Sequence, residues 1–411
     1  MRLGLLVASL LLASAGARAQ DDTPPATRPE RLYLNPGLLM GSSRVVGLGG
    51  AYVGIAEGVV GFTSNLAALA HRTPQLDRDW DVGVTLSWLD LPLASVGEKD
   101  LDNDGLPDNA PETLQLVGAF TLQYRNAGFG FSLRNYSIGY CNTAACEKGD
   151  LIRVSLLHAA LAGAVALGRD DFILGFGVYS GQAILNHKPE GSWLYGSTGV
   201  ALDVLYRPHG RPYRVGLSVR PELLGPWRRA PGQSATLAGR QIYSAVVSPS
   251  TVSLGVSWRL GEGGELYNRL SPAARRQLLD GAHYAEVPPE EDLDAIPGRW
   301  LISTQVDLIS PVENAVSVHS FTSLDAPEYV GATSKLQPRF GVEHESLPRR
   351  LRTRLGAFLE PSPFPGRPLR PHLTGGFELF LFHYIDDWEV TASFDVARRY
   401  TNFGLSVGFW R

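Results

Sequence analysis

Four aspartates crowd the run DLDNDGLPD, residues 100–108. Asp100, Asp102, Asp104 and Asp108 stand at positions one, three, five and nine, and Gly105 at position six permits a sharp turn. Carboxylate oxygens at that spacing suit a hard cation such as Ca²⁺. The bidentate Glu of an EF-hand is missing from position twelve, since Glu112 is thirteenth. The run reads either as a loop for a structural Ca²⁺ or as a solvated acidic turn; no other cofactor is called for.

Cys141 and Cys146 are the chain's two cysteines, five residues apart in GYCNTAACEKGD. In an exported protein an even count favours a local disulfide over two free thiols. Without a nearby His they do not fill a zinc shell. The glycines of RVVGLGGAYVG, residues 44–54, pose a different question. Gly47 and Gly49 supply two glycines of a dinucleotide fingerprint, but Tyr52 occupies the third position and only SSRVV precedes them. The nucleotide reading fails on both counts. The nine histidines are scattered, and neither G-x-S-x-G nor H-E-x-x-H occurs, so no enzyme is expected. A net charge of −4 with no long basic block argues against nucleic acid.

The elements that hold these residues follow from export and alternation. Arg2, the apolar stretch 3–16 and Ala17-Arg18-Ala19 form a signal peptide over residues 1–19. Residues 20–34 read as a flexible mature terminus. Beyond them no run is long and apolar enough for a membrane helix. Instead, segments of about ten residues alternate with period two. In WDVGVTLSW, Trp80, Val82, Val84, Leu86 and Trp88 share one face, while Asp81, Gly83, Thr85 and Ser87 share the other. VSLGVSWRL (252–260) and WEVTASFDV (388–396) repeat the pattern.

Such strands match the length of a tilted membrane strand. Their apolar faces begin or end in aromatics, as interfacial girdles do. Only a closed barrel leaves no unpaired edge in lipid. The expectation is all-β: a transmembrane antiparallel barrel of about fourteen strands over residues 77–411. The spans are 79–91, 113–125, 128–140, 152–167, 171–186, 196–207, 212–220, 250–261, 299–310, 338–345, 351–360, 372–384, 387–397 and 402–411. Short connections should be periplasmic turns and long ones outer loops. The connection 262–298 breaks that rule and contains SPAARRQLLDGAHYAE, read as a helical insert capped by Ser271. Asp307, Arg339, Glu343, Arg352, Arg354, Glu378, Glu389 and Asp395 fall on the lumen face. They read as space-filling salt bridges, with Glu343 set against Arg352 or Arg354, or as a selective charged channel.

Residues 35–76 do not alternate and are small, apolar and Gly-rich. Gly47-Leu48-Gly49-Gly50-Ala51-Tyr52 followed by Asn65-Leu66-Ala67-Ala68-Leu69 resembles the N-terminal hatch of FadL-type outer-membrane transporters, with Leu66 in place of a proline. PRFGVEHES (338–346) and RTRLGAFLEPS (352–362) also resemble barrel segments of that superfamily. The resemblance implies a plug inside a fourteen-stranded barrel, with Gly47, Gly49, Gly50 and Asn65 as hatch residues. It implies a bacterial outer-membrane location among lipid, and passive transport of a hydrophobic small molecule, fatty-acid-like or aromatic, through a gate made by the plug and a strand gap. Trp193 and Trp227 are then candidate capture surfaces in outer loops. The alternative is a barrel that anchors or shuttles a periplasmic or secreted protein, as in type IX secretion, with 262–298 as the docking element.

Overall fold

The computed structural model describes residues 27–34, 37–71, 80–90, 99–108, 110–141, 151–167, 171–188, 190–261, 263–268, 299–318, 321, 327–348, 350–384 and 386–409. The signal peptide and residues 269–298 of the helical insert lie outside them. Fourteen strands form one closed antiparallel barrel: β1 (Trp80–Leu89), β2 (Glu112–Tyr124), β3 (Ala127–Cys141), β4 (Leu151–Leu167), β5 (Phe172–His187), β6 (Gly191–Tyr206), β7 (Tyr213–Arg220), β8 (Thr251–Leu260), β9 (Trp300–Ile309), β10 (Lys335–Leu347), β11 (Leu351–Glu360), β12 (Arg370–Tyr384), β13 (Asp386–Ala397) and β14 (Tyr400–Phe409). Each pairs with the next in sequence, and β1 closes the ring on β14 through Val84–Trp88 against Leu405–Phe409.

The alternation fixes which face is wet. In β1, Val84, Leu86 and Trp88 are exposed, while Asp81, Thr85 and Ser87 are buried. In β8, Leu254 is 53% exposed against 9% for Ser253. The outer surface is thus apolar nearly all round, which only a bilayer makes favourable. Aromatic neighbours ring the end that carries the short turns: Trp80 opposite Tyr124, Phe172 at 4.8 Å from Tyr206, Tyr213 at 5.6 Å from Trp258, and Trp388 at 4.9 Å from Phe409. Among the described residues no helix is long and apolar enough to cross a membrane.

Two departures from the expected strands matter. β6 begins at Gly191, after a short turn from β5, so Trp193 lies in the wall and not in a loop. It faces inward, 2% exposed, with Nε1–H donating to Ser234 O at 2.8 Å. β7 is short. Beyond Pro221 and Glu222 the chain resumes as Leu223–Arg228, which pairs with Tyr243–Ser248 and rejoins the ladder of β6 at Leu194 and Tyr195. β6 pairs with β7 over Leu202–Tyr206. Residues 196–201 therefore have no ladder partner on that side among the described residues. The strand Arg28–Tyr33 lies parallel to Tyr243–Ser248 at the end that carries the long loops.

Candidate functional site

From that loop end, residues 37–71 run down against the inward faces of the strands and emerge toward β1 at the turn end. Short helices, Ser43–Gly47 and Gly58–Gly61, and a 3₁₀ turn, Leu66–Ala70, break their path. Val45, Leu48, Tyr52, Ile55, Phe62 and Leu69 are buried in one cluster with Ala162, Ala164, Ala166 and Ala201 of the wall. The polar lumen face supplies what this backbone needs. Gln305 Oε1 accepts the N–H groups of Tyr52 and Val53, both at 3.0 Å. Ser303 donates to Ala51 O at 2.6 Å and Ser257 to Gly54 O at 2.8 Å. Gln123 Nε2 donates to Ala68 O and His71 O. Irregular backbone at membrane depth is tolerated where protein satisfies it in this way.

The glycines that allow so close an approach lie mainly in the wall. A Cβ at Gly175 would fall 2.6 Å from Ala67 N, at Gly255 2.7 Å from Gly54 N, and at Gly341 2.5 Å from Leu48 O. Gly128, Gly216 and Gly356 meet the backbone of Leu69, Val53 and Gly49 more closely still. Six strands thus carry an inward glycine where the segment passes. Within the segment, Gly49 (φ +63°) and Gly50 (φ +74°) need their glycine for conformation, and a Cβ at Gly49 would strike Phe340 O at 2.7 Å. Gly47 is less demanding, with its nearest neighbours at 3.5 Å. Asn65 caps the 3₁₀ turn through Ala67 N–H at 2.9 Å and donates to Val53 O at 2.9 Å. Leu66 N–H donates to Asp203 Oδ2 at 2.5 Å, a bond that proline in its place could not make.

Charge anchors the segment. Residues 37–70 contain two charged side chains, Arg44 and Glu57. Arg44 reaches Glu343 through two bonds at 3.0 Å and Glu57 at 3.1 Å. Glu57 takes Arg214 at 2.8 Å, and Glu343 takes Arg354 at 2.6 Å. Arg354 and Arg352 both pair with Glu378, Arg352 at 2.9 Å. Signs alternate along Arg214–Glu57–Arg44–Glu343–Arg354–Glu378–Arg352, so each buried charge has an opposite neighbour. Arg214 also packs 3.6 Å over the Tyr267 ring at the start of the insert.

The other expected lumen charges fall inward as well. Asp307 pairs with Arg339 at 2.5 Å. Asp395 bonds His372 Nδ1 at 2.7 Å, and His372 Nε2 contacts Glu360 at 2.9 Å. Glu389 is partly buried on the same face of β13 as Asp395. Arg44, Glu57, Arg214, Glu360 and His372 were not among the expected sites. The signal for the first two was there: a lone Arg and a lone Glu in an apolar, Gly-rich stretch require partners. Cys141 is disulfide-bonded, while Cys146 lies outside the described residues. The carboxylates of Asp100, Asp102 and Asp108 converge, without Asp104.

On β3–β6 the inward face changes character along the barrel. Toward the loop end it is apolar: Tyr136, Ile138, Tyr140, Ile152, Val154, Leu156, Ala183, Leu185, Trp193 and Tyr195 pack with Leu32, Leu34, Leu101, Tyr243 and Phe321. Below lies the row Arg134–His158–Gly181–Ser197, then Ser132–Ala160–Tyr179–Gly199. All but Ser132 are only partly buried, although they point into the lumen. These partly buried residues lie between two buried apolar layers, beside residues 196–201 where the ladder is interrupted. The Arg134 side chain has no hydrogen bond, ion pair or ring contact among the described residues. Its neighbour His158 keeps Nδ1 buried without a partner. Leu223, just beyond the break, fills the space against Gly181 and Gly199. Nearby Arg220 is already engaged with Asp203 at 2.5 Å.

No protein-family profile and no curated protein matches the sequence. Solved structures do. The TodX deltaS2S3 mutant monoaromatic hydrocarbon channel is 12% identical with a TM-score of 0.52, covering 90% of this chain and 99% of its own. The CymD monoaromatic hydrocarbon channel is 10% identical with a TM-score of 0.51, covering 90% and 96%. A Pseudomonas aeruginosa FadL homologue is 11% identical with a TM-score of 0.48, covering 90% and 98%. The chain thus shares the fold of the TodX and CymD channels over nearly its whole length.

Proposed function

We propose that this barrel sits in a bacterial outer membrane and admits a hydrophobic small molecule with an anionic head, fatty-acid-like in shape, without catalysis. The reading rests above all on the partly buried, unpaired side chain of Arg134 beside His158 on the lumen face. An unpaired guanidinium at membrane depth is costly unless a ligand's charge meets it. The apolar residues above it, Tyr136, Leu156, Leu185, Trp193 and Tyr195, suit a hydrocarbon tail. Sites of this kind combine an apolar lining with few placed polar groups. The interrupted ladder at residues 196–201 gives an exit toward lipid, with Leu223 as its stopper. Residues 37–71 act as the hatch that bars a straight aqueous path. The fold shared with two hydrocarbon channels supports a channel role. The competing role, anchoring a protein partner through residues 262–298, would rest on a segment that lies mostly outside the described residues.

Binding separates the possibilities. Trp193 lies in the apolar layer and serves as a fluorescence probe. Decanoate is expected to change tryptophan emission saturably, and Arg134→Ala to weaken that binding about tenfold or more, the worth of one charge-assisted pair. Decanol should bind both proteins alike. Equal decanoate affinity in wild type and Arg134→Ala would refute the assignment of the head-group site.

A further inference from the structure

Residues 99–108 leave the wall after β1 and fold over the loop end of the barrel. Asp100 N–H donates to Arg399 O at 2.8 Å, Asn103 Nδ2 to Glu360 O at 3.3 Å, and Ser362 Oγ to Asn103 O at 2.6 Å. Leu101, 2% exposed, packs into the apolar layer with Tyr136 and Tyr140. Within this loop, carboxylate oxygens of Asp100, Asp102 and Asp108 lie within 4.8 Å of one another. Asp104 is turned to its own backbone, its Oδ1 accepting Leu106 N–H at 2.6 Å.

Clustered acids alone do not call for an ion, and neither do the turns that shape them. Asp100 does. It is 3% exposed, and its Oδ1 is buried with no hydrogen-bond partner among the described residues. Oδ2 accepts Gly105 N–H at 3.0 Å and stands 3.5 Å from Arg370. Arg370 is itself committed more closely to Glu360, at 2.7 Å. A buried carboxylate oxygen without a partner, beside two further carboxylates, is unfavourable both by desolvation and by repulsion. Burial pushes the Asp100 carboxyl above its ordinary range; Arg370 opposes that rise, and Asp104 and Asp108 add to it. One divalent cation at the point of convergence would remove both penalties.

We propose that Asp100, Asp102 and Asp108 bind a single Ca²⁺ ion, which fastens the loop over the apolar layer of the lumen. The remaining oxygens of a six- to eight-fold shell come from water and loop carbonyls. An all-oxygen site in an irregular loop favours Ca²⁺ over Mg²⁺, which demands near-ideal octahedral geometry. This site stands independently of what the barrel transports.

The test is calorimetric titration of the full chain in detergent, stripped with EDTA, with CaCl₂ as the probe. One site is expected, with a Kd of about 10⁻⁴–10⁻³ M, as in extracellular modules. Asp102→Asn and Asp108→Asn should each weaken binding at least tenfold while the barrel still shifts on heating in gels. Asp387→Asn, at the opposite end of the barrel, should bind as wild type does. Absence of Ca²⁺ binding by the folded wild type would overturn the proposal, as would equal affinity in Asp102→Asn.

Discussion

Gly175→Ala isolates the close approach between hatch and wall. Its side chain would point inward from β5, where Cβ falls 2.6 Å from both Ala67 N and Leu66 C and 2.7 Å from Leu66 Cβ. Ordinary contact begins near 3.4 Å, so the 3₁₀ turn must retreat by about 0.8 Å. That movement strains the Leu66 N–H bond to Asp203 at 2.5 Å and the Asn65 cap. Overpacking of this kind costs about 1–3 kcal/mol. Because the strand ladder does not depend on the segment, the cost falls on docking of the hatch, not on the barrel. A shift of that size raises the undocked population roughly 5–150-fold. Single-channel recording in planar bilayers should show openings more frequent by that factor, while heat-modifiable migration stays intact. Gly163→Ala, whose nearest neighbour is 3.5 Å away, is the matched control and should behave as wild type. Wild-type conductance from a folded Gly175→Ala barrel would refute the view that residues 37–71 seal the lumen.

Other perturbations test separate parts. Glu57→Gln removes the carboxylate shared by Arg44 and Arg214 at 3.1 and 2.8 Å, at a cost of about 3–5 kcal/mol, and trypsin should then cut at Arg44 in a folded barrel; continued protection would contradict the network's role. Spin labels at Val84 and Leu254 should collide with a lipid-soluble relaxant, and those at Thr85 and Ser253 should not. Equal collision at all four would sink the facing assignment. Unreduced protein should yield a peptide joining Cys141 to Cys146, two hydrogens light. Ready alkylation of Cys141 without reductant would contradict the local ring.

The barrel was legible because period-two alternation is imposed separately on every strand. Residues such as Leu254 and Ser253 declare their faces without reference to neighbours. The start of β6 was not legible, since GSWLY turns Trp193 and Tyr195 inward, where the lower wall carries small or polar residues. The same inversion in Tyr136, Ile138 and Tyr140 marks the apolar layer, and it becomes meaningful only once strand register places these residues beside Leu185 and Trp193. The hatch glycines drew attention, but the wall glycines at Gly175, Gly216, Gly255 and Gly341 looked like ordinary lumen positions. Their purpose depends on a backbone over a hundred residues away. Asp104 fits the cation motif by spacing, yet its side chain caps its own turn. Spacing fixes which residues are near; local hydrogen bonding decides which converge. Arg134 left no mark in sequence, because an unpaired charge is visible only when its surroundings are known.

Photo-crosslinking tests the central claim most directly. A diazirine-bearing aliphatic carboxylate, presented to the barrel in native membranes and mapped by mass spectrometry, reports where a hydrophobic anion travels. The expected labels fall on inward residues of β3–β6, among Tyr136, Leu156, Tyr179 and Tyr195, and on Leu223 at the break, and they diminish in Arg134→Ala. Labels confined to lipid-facing residues such as Phe176 and Val200, unchanged by Arg134→Ala, would contradict passage through the barrel.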